Sequence, residues 1–364
     1  MSASGSIVGD CVYPRSNATA RRIEDELQGL VEHRDDVARF YLDTKEEHHN
    51  PGVTLFGQDF GHSEGEDHHQ GLARSHRLSD GSIWWFLTHS EMDPGDRGQL
   101  MHFRFAGPVV GNHVVETAPL TVAPMIGQLY LVEQHPCDIC FFPDVNAADA
   151  GYLFVCEQHN TRTVAVYAWD PAQPDLTRLG AIDPGFAPQW VFFDRIDDSY
   201  HLGIATDGQT ARYTARADKL FADCVVGGMN VDALLPAGPF DMPDMEGASQ
   251  VKLVRDVTGA WSLLGYRSDS DGEHDDPNGD DWIDVYPVMN GPTFAIGPRS
   301  SSTHVYLRPG DTGFASDGTH HVDDAGTLLV SSSWRWSDNP DDAGDFGYVS
   351  RVDEVPSAIN IVIE

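Results

Sequence analysis

From residue 66 onward, short apolar stretches alternate with turns rich in Asp and Gly. The same order recurs five times: a short strand, an Asp/Gly turn, a second and more apolar strand, a polar turn and a third alternating strand. The second strands are predicted to begin 48 to 69 residues apart, at Ile83, Tyr152, Tyr200, Trp261 and Leu328. Repeats of several strands at such spacing are typical of propeller blades. The pattern therefore predicts an all-β chain, a five-bladed β-propeller.

Each repeat leaves room for a fourth, outer strand. The outer strands are predicted at residues 113–120, 176–182, 221–227, 303–307 and 359–363. A six-bladed ring would need another blade before residue 66, and the sequence pattern there does not indicate one.

The residues before the repeats contain one helical pattern, at 20–44, where apolar residues recur at intervals of three and four. We expect this short helical extension to cover the outside or the base of the propeller. Residues 6–13 are a candidate for a strand that closes the ring. The chain is therefore divided into an N-terminal extension, 1–65, and a propeller, 66–364.

Charge limits the partners. The 364 residues include 57 acidic and 23 basic side chains, which give a net charge of −34, and only three lysines. Such a surface opposes phosphate binding, so no nucleic acid partner is expected. No stretch approaches the roughly 18 apolar residues of a membrane helix, so no membrane partner is expected either. The expected partner is a small molecule or a saccharide, and the sequence does not fix the oligomeric state.

The cysteines indicate a reducing compartment. Five cysteines are an odd number in a long chain, which argues against a disulfide framework. The first 15 residues lack the basic and apolar pattern of a secretory signal. We therefore expect a cytoplasmic protein, with Cys137 and Cys140 buried in a strand rather than forming a zinc or redox motif.

Propeller geometry converts the repeats into a list of site residues. The inner strand of every blade starts at one face, and the loop between the second and third strands returns to that face, so both surround one central pocket. The residues predicted to bind substrate there are His69, His89, Glu91, Glu157, Gln189, Trp190, Gln250, Arg267, Asp317, Trp334 and Trp336. The tryptophans could form an aromatic wall that stacks on a sugar or on a polycyclic ligand.

Histidines at the strand starts suggest a metal. His68, His135 and Glu246 come from three blades and form a two-histidine, one-carboxylate set, which His69 or Glu157 could complete. Hydrogen-bonded imidazoles in a wet polar channel are the alternative. Calcium is a second option, held by the acidic loops at 269–281 and 337–345, although solvated acidic loops are the simpler interpretation.

Three carboxylates, Asp67, Asp138 and Glu246, are predicted at the same face. They could divide acid and base roles if their surroundings separate their pKa values. The sequence holds no phosphate-binding loop, nucleophile elbow or dinucleotide fingerprint, so no nucleotide cofactor is expected.

The chain carries two family resemblances. The first is the string Met245-Glu246-Gly247-Ala248-Ser249, followed by a turn and Trp261-Ser262-Leu263-Leu264-Gly265-Tyr266. It resembles the inner strand of five-bladed glycosidases of the arabinanase and fructosidase type. The resemblance implies that Glu246 is the general acid, Asp67 the base or nucleophile, and Asp138 the residue that orients or tunes.

A looser resemblance joins the chain to uncharacterised bacterial propellers. It rests on the strings His135-Pro136-Cys137-Asp138-Ile139 and His69-Gln70-Gly71-Leu72-Ala73-Arg74. It implies a fold rather than a chemistry.

These observations favour an enzyme with one central pocket, a hydrolase that processes a glycoside or another small molecule with carboxylates and, in one version, a metal. A metal-assisted lyase or cyclase is the competing enzyme class. A non-catalytic, lectin-like propeller is the alternative outside enzymes. The five strand starts differ in chemistry, which favours one asymmetric site over repeated equivalent pockets.

Overall fold

The computed structural model describes residues 19–33, 38–43, 68–90, 97–106, 122–131, 135–144, 149–173, 175–221, 227–245, 247–268, 281–289, 294–305, 318–333 and 349–358. Its strands are β1 (Ala38–Asp43), β2 (His68–Arg74), β3 (Ile83–Ser90), β4 (Gln99–Phe105), β5 (Val122–Tyr130), β6 (Pro136–Asp144), β7 (Ala150–Glu157), β8 (Thr163–Trp169), β9 (Thr177–Ile182), β10 (Trp190–Ile196), β11 (Ser199–Thr206), β12 (Gln209–Arg216), β13 (Leu235–Gly238), β14 (Ala248–Arg255), β15 (Trp261–Ser268), β16 (Asp281–Met289), β17 (Ala295–Ile296), β18 (Ser301–His304), β19 (Thr319–Val322), β20 (Leu328–Ser333) and β21 (Val349–Pro356). The helices are α1 (Ile23–Glu32), α2 (Ala217–Leu220) and a 3-10 turn at Val231–Ala233. No helix in these ranges is long and apolar enough to cross a membrane.

The strands form five antiparallel blades in chain order. Blade one contains β2 to β5, blade two β6 to β9 and blade three β10 to β13. In blade four, β14, β15 and β16 are followed by β17 and β18, which both pair with β16. Blade five contains β19, β20 and β21, with β1 as its outer strand. The all-β, five-bladed propeller that the repeats predict is confirmed.

The hydrophobic core follows from this arrangement. The buried apolar residues form five clusters, and each cluster lies between two neighbouring blades. Between blades one and two, for example, Phe86 stacks on Phe141, and both contact Trp169. Burial of such aromatic side chains dominates the energetics of a core. Every blade is therefore held by its neighbours on both faces.

The predicted helix at 20–44 is too long. The helix ends at Glu32, and the segment that begins at Ala38 is strand β1. Ala38, Phe40 and Leu42 are buried, which is the period of two expected for a strand. The shorter helix remains as predicted, and it packs its apolar face between blades four and five.

The ring is closed by β1. It pairs antiparallel with β21 of blade five and parallel with β5 of blade one, so the two blades share one eight-stranded sheet. The candidate closing strand at 6–13 lies outside the described residues. A segment within the predicted extension therefore contributes a strand to the propeller.

The outer strands are only partly as predicted. The prediction at 176–182 is confirmed by β9, and the one at 303–307 overlaps β18. The third, at 221–227, falls mostly outside the described residues, and β13 is the strand that pairs with β12 in blade three. The predictions at 113–120 and 359–363 lie outside the described residues, and β5 and β1 are the outer strands of those two blades.

Candidate functional site

The five inner strands surround the axis of the propeller. In ring order, β2 contacts β6, β6 contacts β10, β10 contacts β14, β14 contacts β19, and β19 contacts β2. All five run in the same direction from the same face, so their first residues surround one mouth. We call this region, where the inner strands begin, the axial mouth.

Three inner strands are irregular at this mouth. The pairing register shifts between His69 and Gly71, between Pro136 and Ile139, and between Ala248 and Gln250. Such bulges leave a residue unpaired and change the direction of its side chain, and they are frequent near active sites. The strands of blades one, two and four therefore start with the same local distortion.

The bulge of blade two places Asp138 on the axis, where three blades meet. Its side chain is buried, one carboxylate oxygen contacts the ammonium group of Lys252 from blade four, and the other accepts the backbone N–H of Val191 from blade three at 3.0 Å. The Lys252 ammonium also donates to the carbonyl of Ile139, at 2.7 Å. Both oxygens of Asp138 are therefore occupied by donors of the protein itself.

This buried ion pair carries a cost in desolvation free energy. Burial raises the pKa of the Asp138 carboxyl, while the Lys252 ammonium acts in the opposite direction. The desolvation of two buried charges often exceeds their mutual attraction. A perturbed, paired carboxylate in the centre of a fold marks a candidate functional site.

Below this pair the axis encloses a cavity of about 40 Å³. Asp194 and His320 line it, and the carboxyl of Asp194 accepts a hydrogen bond only from the neighbouring N–H of Arg195 among the described residues. Burial raises the pKa of Asp194 well above its ordinary value and lowers the pKa of His320 to about 3. A cavity of this size holds a few water molecules and is too small for a larger ligand.

Two glutamines among the predicted substrate-binding residues, Gln250 and Gln189, lie near the starts of their inner strands. Gln250 is buried, its side-chain amide donates to the carbonyl of Gln70 in blade one, and its oxygen accepts no hydrogen bond from a described residue. Gln189 is half-buried and accepts a hydrogen bond from the hydroxyl of Thr206 at 3.4 Å.

His135 lies at the start of blade two, half-buried. Its Nδ1 is 3.4 Å from the sulfur of Cys137, and its ring stacks on His159 at 4.9 Å. Cys137 and Cys140 are buried in β6, as expected. No group of three metal-ligating side chains comes together among the residues that the structure describes. The metal site on His68 and His135 stays a prediction, because the side chain of His68 is not described.

Four predicted substrate-binding residues are buried or paired with groups of the protein itself. Trp190 is buried between blades three and four and donates to the carbonyl of Ser249, so its ring is not a free wall. Glu157 is buried and accepts hydrogen bonds from Thr161 and Thr163, both at 2.8 Å. Two further residues are His89, which is buried in β3, and Arg267, which pairs with Asp284 in blade four.

Several predicted residues lie outside the described residues. These are Asp67, Glu91, Glu246, Asp317, Trp334 and Trp336, together with the side chains of His68 and His69 and most of both acidic loops. The neighbours of Glu246 are described: Met245 is buried, and Gly247 has a φ of +79°, which favours glycine. A Cβ atom at Gly247 would also lie 3.0 Å from the side chain of Arg267.

Two residues of this region, Lys252 and Asp194, are not among the predicted site residues. Lys252 is one of three lysines in the chain and lies in the middle of an apolar inner strand. Asp194 occupies a similar position in β10. A charged residue within a buried strand requires a partner or a shifted pKa, and that signal could have found both residues.

No family model matches this chain, and no curated protein matches it. Among solved structures it is similar to an exo-β-1,3-galactanase from Clostridium thermocellum, with 10% identity and a TM-score of 0.42 over 76% of this chain and 61% of that one. It is also similar to an exo-β-1,3-galactanase from Phanerochaete chrysosporium, with 11% identity and a TM-score of 0.45, over 87% of this chain and 64% of that one. A third similar structure is a GH43 enzyme from Xanthomonas citri, with 12% identity and a TM-score of 0.40, over 91% of this chain and 92% of that one.

The chain spans less than two thirds of the length of either galactanase. At these identities and scores the matches identify no activity for this chain.

Proposed function

We propose that this protein is a glycoside hydrolase whose active site is the axial mouth. Glu246 is the general acid, Asp67 is the base or nucleophile, and Asp138 is a positioning residue. The buried pair of Asp138 and Lys252 is the observation that carries the proposal. It fixes a carboxylate on the axis, below the strand starts of the two blades that carry Asp67 and Glu246.

The role of Asp138 follows from its contacts. Lys252 and the N–H of Val191 each donate to one of its oxygens, and the carboxylate is buried, so these protein groups hold it in place. Its position beside the Lys252 ammonium is therefore fixed. A buried ion pair of this kind can tune the pKa values of neighbouring carboxylates, and a glycosidase must keep one carboxyl protonated and one ionised.

The residues on both sides of Glu246 are described. Buried Met245 and left-handed Gly247 define the path of the chain, and β14 begins at the next residue, Ala248. The residues themselves resemble the acid-bearing strand of five-bladed glycosidases. In this proposal Glu246 protonates the glycosidic oxygen, the bond to the sugar breaks, and Asp67 either activates a water or attacks the sugar carbon.

The test uses a panel of 4-nitrophenyl glycosides that includes α-L-arabinofuranoside, β-D-xyloside, β-D-galactoside and β-D-fructofuranoside. We expect the protein to hydrolyse at least one of them. Glu246→Gln and Asp67→Asn should each lower kcat/KM by about 100-fold or more, since general acid–base catalysis contributes about that much.

The matched control is Asp198→Asn. Asp198 is fully exposed in the turn after β10, at the end of the blade away from the axial mouth. It should leave kcat/KM unchanged. A panel without hydrolysis, or full activity in both mouth variants with intact folds, would contradict the proposal. Saccharide binding without turnover that survives Glu246→Gln would identify a binding propeller instead.

A further inference from the structure

A second and larger cavity lies in blade four, separate from the axial cavity. Its volume is about 580 Å³, which falls in the range of small-molecule pockets. Part of its lining is the segment that leads into β14, with Pro243, Asp244 and Gly247. Tyr286 of β16 and Arg299, which comes before β18, also line it. We call it the blade-four pocket.

The charges of the blade-four pocket balance among the described residues. Arg267 also lines the pocket, but the protein itself holds its guanidinium group, because Nε donates to Asp284 at 3.2 Å and the group lies over the ring of Trp282 at 5.5 Å. Arg299 donates to the same carboxylate oxygen at 3.2 Å. With Asp244, this set has two positive and two negative charges. The pocket therefore favours an uncharged ligand over an ion.

Two polar side chains remain for such a ligand. Asp244 is exposed, and its carboxylate accepts no hydrogen bond from a described residue. The side chain of Arg299 is 52% exposed, and only Asp284 accepts a hydrogen bond from it among the described residues. The pocket thus offers an acceptor and several donors. Sugar hydroxyl groups both donate and accept, so they can use both side chains.

The rest of the lining contributes apolar surface. Pro243 provides its ring, and Tyr286 is almost fully buried in the core between blades three and four. Burial, with the carboxylates of Asp284 and Asp244 nearby, raises the pKa of Tyr286 to about 12, so its hydroxyl keeps its proton at neutral pH. Apolar surface with a few placed polar groups is the usual construction of a small-molecule site.

The segment before β14 connects this pocket with the proposed active site. Asp244 and Gly247 line the pocket, and Glu246 lies between them in the chain. A general acid must lie within hydrogen-bond reach of the oxygen that it protonates, and this oxygen joins the cleaved sugar to its leaving group. A pocket beside the segment that carries the acid is therefore well placed for the leaving group.

We propose that the blade-four pocket binds an uncharged saccharide, which is the leaving group of the glycoside cleaved at the axial mouth. Its hydroxyl groups donate to Asp244 and accept hydrogen bonds from Arg299. The substrate is then a neutral disaccharide or oligosaccharide. That the saccharide is a leaving group rests on the proposed function, whereas the saccharide site rests only on the pocket.

The test is a ligand-observed NMR titration of the full chain, which requires no turnover. The probes are the uncharged sugars L-arabinose, D-xylose, D-galactose and D-fructose, with D-galacturonate as the charged counterpart. We expect at least one uncharged sugar to bind. D-galacturonate should bind no more tightly than that sugar, because the charges of the pocket balance.

Two variants locate the bound sugar. Asp244→Ala and Arg299→Ala should each weaken its binding about tenfold or more, since each removes a hydrogen bond to a charged group. The matched controls are Asp198→Ala and Arg216→Ala, because both residues are exposed and lie in blade three. The controls should leave the affinity unchanged.

Three results would overturn the proposal. No uncharged sugar binds, or the bound sugar keeps its affinity in both pocket variants and therefore occupies another site. In the third result, D-galacturonate binds more tightly than every uncharged sugar and loses that advantage in Arg299→Ala, which would show that the pocket selects an anion.

The titration also separates this inference from the proposed function. Pocket binding in a protein that hydrolyses no glycoside would overturn the leaving-group role and leave a saccharide-binding site. Hydrolysis by a protein that fails the titration would retain the proposed function and overturn this inference.

Discussion

The ammonium group of Lys252 contacts the carboxylate of Asp138 across the axis of the propeller, from the fourth blade to the second. Both side chains are buried, and each has one further backbone partner, the carbonyl of Ile139 for the lysine and the N–H of Val191 for the aspartate. The pair therefore connects three of the five blades at their centre.

The pair should behave as one unit when it is mutated. Asp138→Asn and Lys252→Met should each lower the free energy of unfolding by about 3–5 kcal/mol, because each leaves a buried charge without its partner. The double variant should recover most of that loss, because no buried charge remains. Guanidinium chloride unfolding, followed by tryptophan fluorescence, measures the free energies of unfolding of the two single variants and the double variant.

Asp218→Asn is the control for this cycle, since Asp218 forms an ion pair on the surface with Arg216. It should leave the unfolding midpoint unchanged. Losses that simply add in the double variant would show that Asp138 and Lys252 act independently.

Asp194 should make the protein less stable at neutral pH than at acidic pH. Its folded pKa is raised well above the ordinary value of 3.8, so its contribution is complete below about pH 4 and is lost as the pH rises through the folded pKa. Asp194→Asn removes this titration and keeps an acceptor for the N–H of Arg195. The melting temperature of the variant minus that of the wild type should therefore grow between about pH 4 and pH 7. A difference that is constant, as expected for the exposed control Asp198→Asn, would contradict this account.

His320 lines the same cavity, and its effect on stability should depend on pH in the opposite direction. Its pKa is lowered to about 3 from the ordinary value of 6.5, mainly by burial, so its contribution is present above pH 6.5 and is lost as the pH falls towards 3. His320→Gln cannot gain this charge and can still contact the hydroxyl of Tyr266, now 2.9 Å from Nδ1. In calorimetry, the melting temperature of the variant relative to wild type should rise as the pH falls from 7 to 4. A melting temperature of the variant, relative to wild type, that falls with the pH would be evidence against a neutral imidazole at His320.

The closing strand should contribute strongly to stability. Phe40 is 1% exposed and packs against Trp85 and Phe105 at ring distances of 5.0 and 4.9 Å. Phe40→Ala should lower the free energy of unfolding by about 3–5 kcal/mol, because the cavity lies between blades five and one. Val257→Ala, at an exposed turn, should have little effect in the same unfolding experiment. Equal effects of the two variants would show that β1 does not close the ring.

The repeats predicted the blades because buried second strands carry a strong apolar pattern, as in Ile83 to Ser90, where every residue is buried. Outer strands lack that pattern: β13 is mostly exposed, and nothing in its four residues separates it from a loop. The strand β1 was assigned to a helix because its apolar residues continue the spacing of α1. Its pairing with β21 and β5, both far away in the chain, decides its conformation.

The site was less predictable than the fold. Asp138 could be placed at the start of an inner strand, but its partner comes from a blade 114 residues away, and no local pattern joins the two. The repeats in the sequence also do not predict toward which face of a strand each side chain points. A bulge reverses that alternation, and three inner strands contain one near their start.

In the proposed mechanism, Glu246 protonates the leaving group of a glycoside at the axial mouth. The test uses the sugar whose glycosides the protein cleaves best. It compares two aryl glycosides of that sugar, one with a phenyl and one with a 2,4-dinitrophenyl leaving group. Glu246→Gln should lower kcat/KM about 100-fold or more for the phenyl glycoside and less than about tenfold for the dinitrophenyl glycoside, which departs without protonation. Equal losses for both substrates, or no loss for either, would show that Glu246 is not the acid.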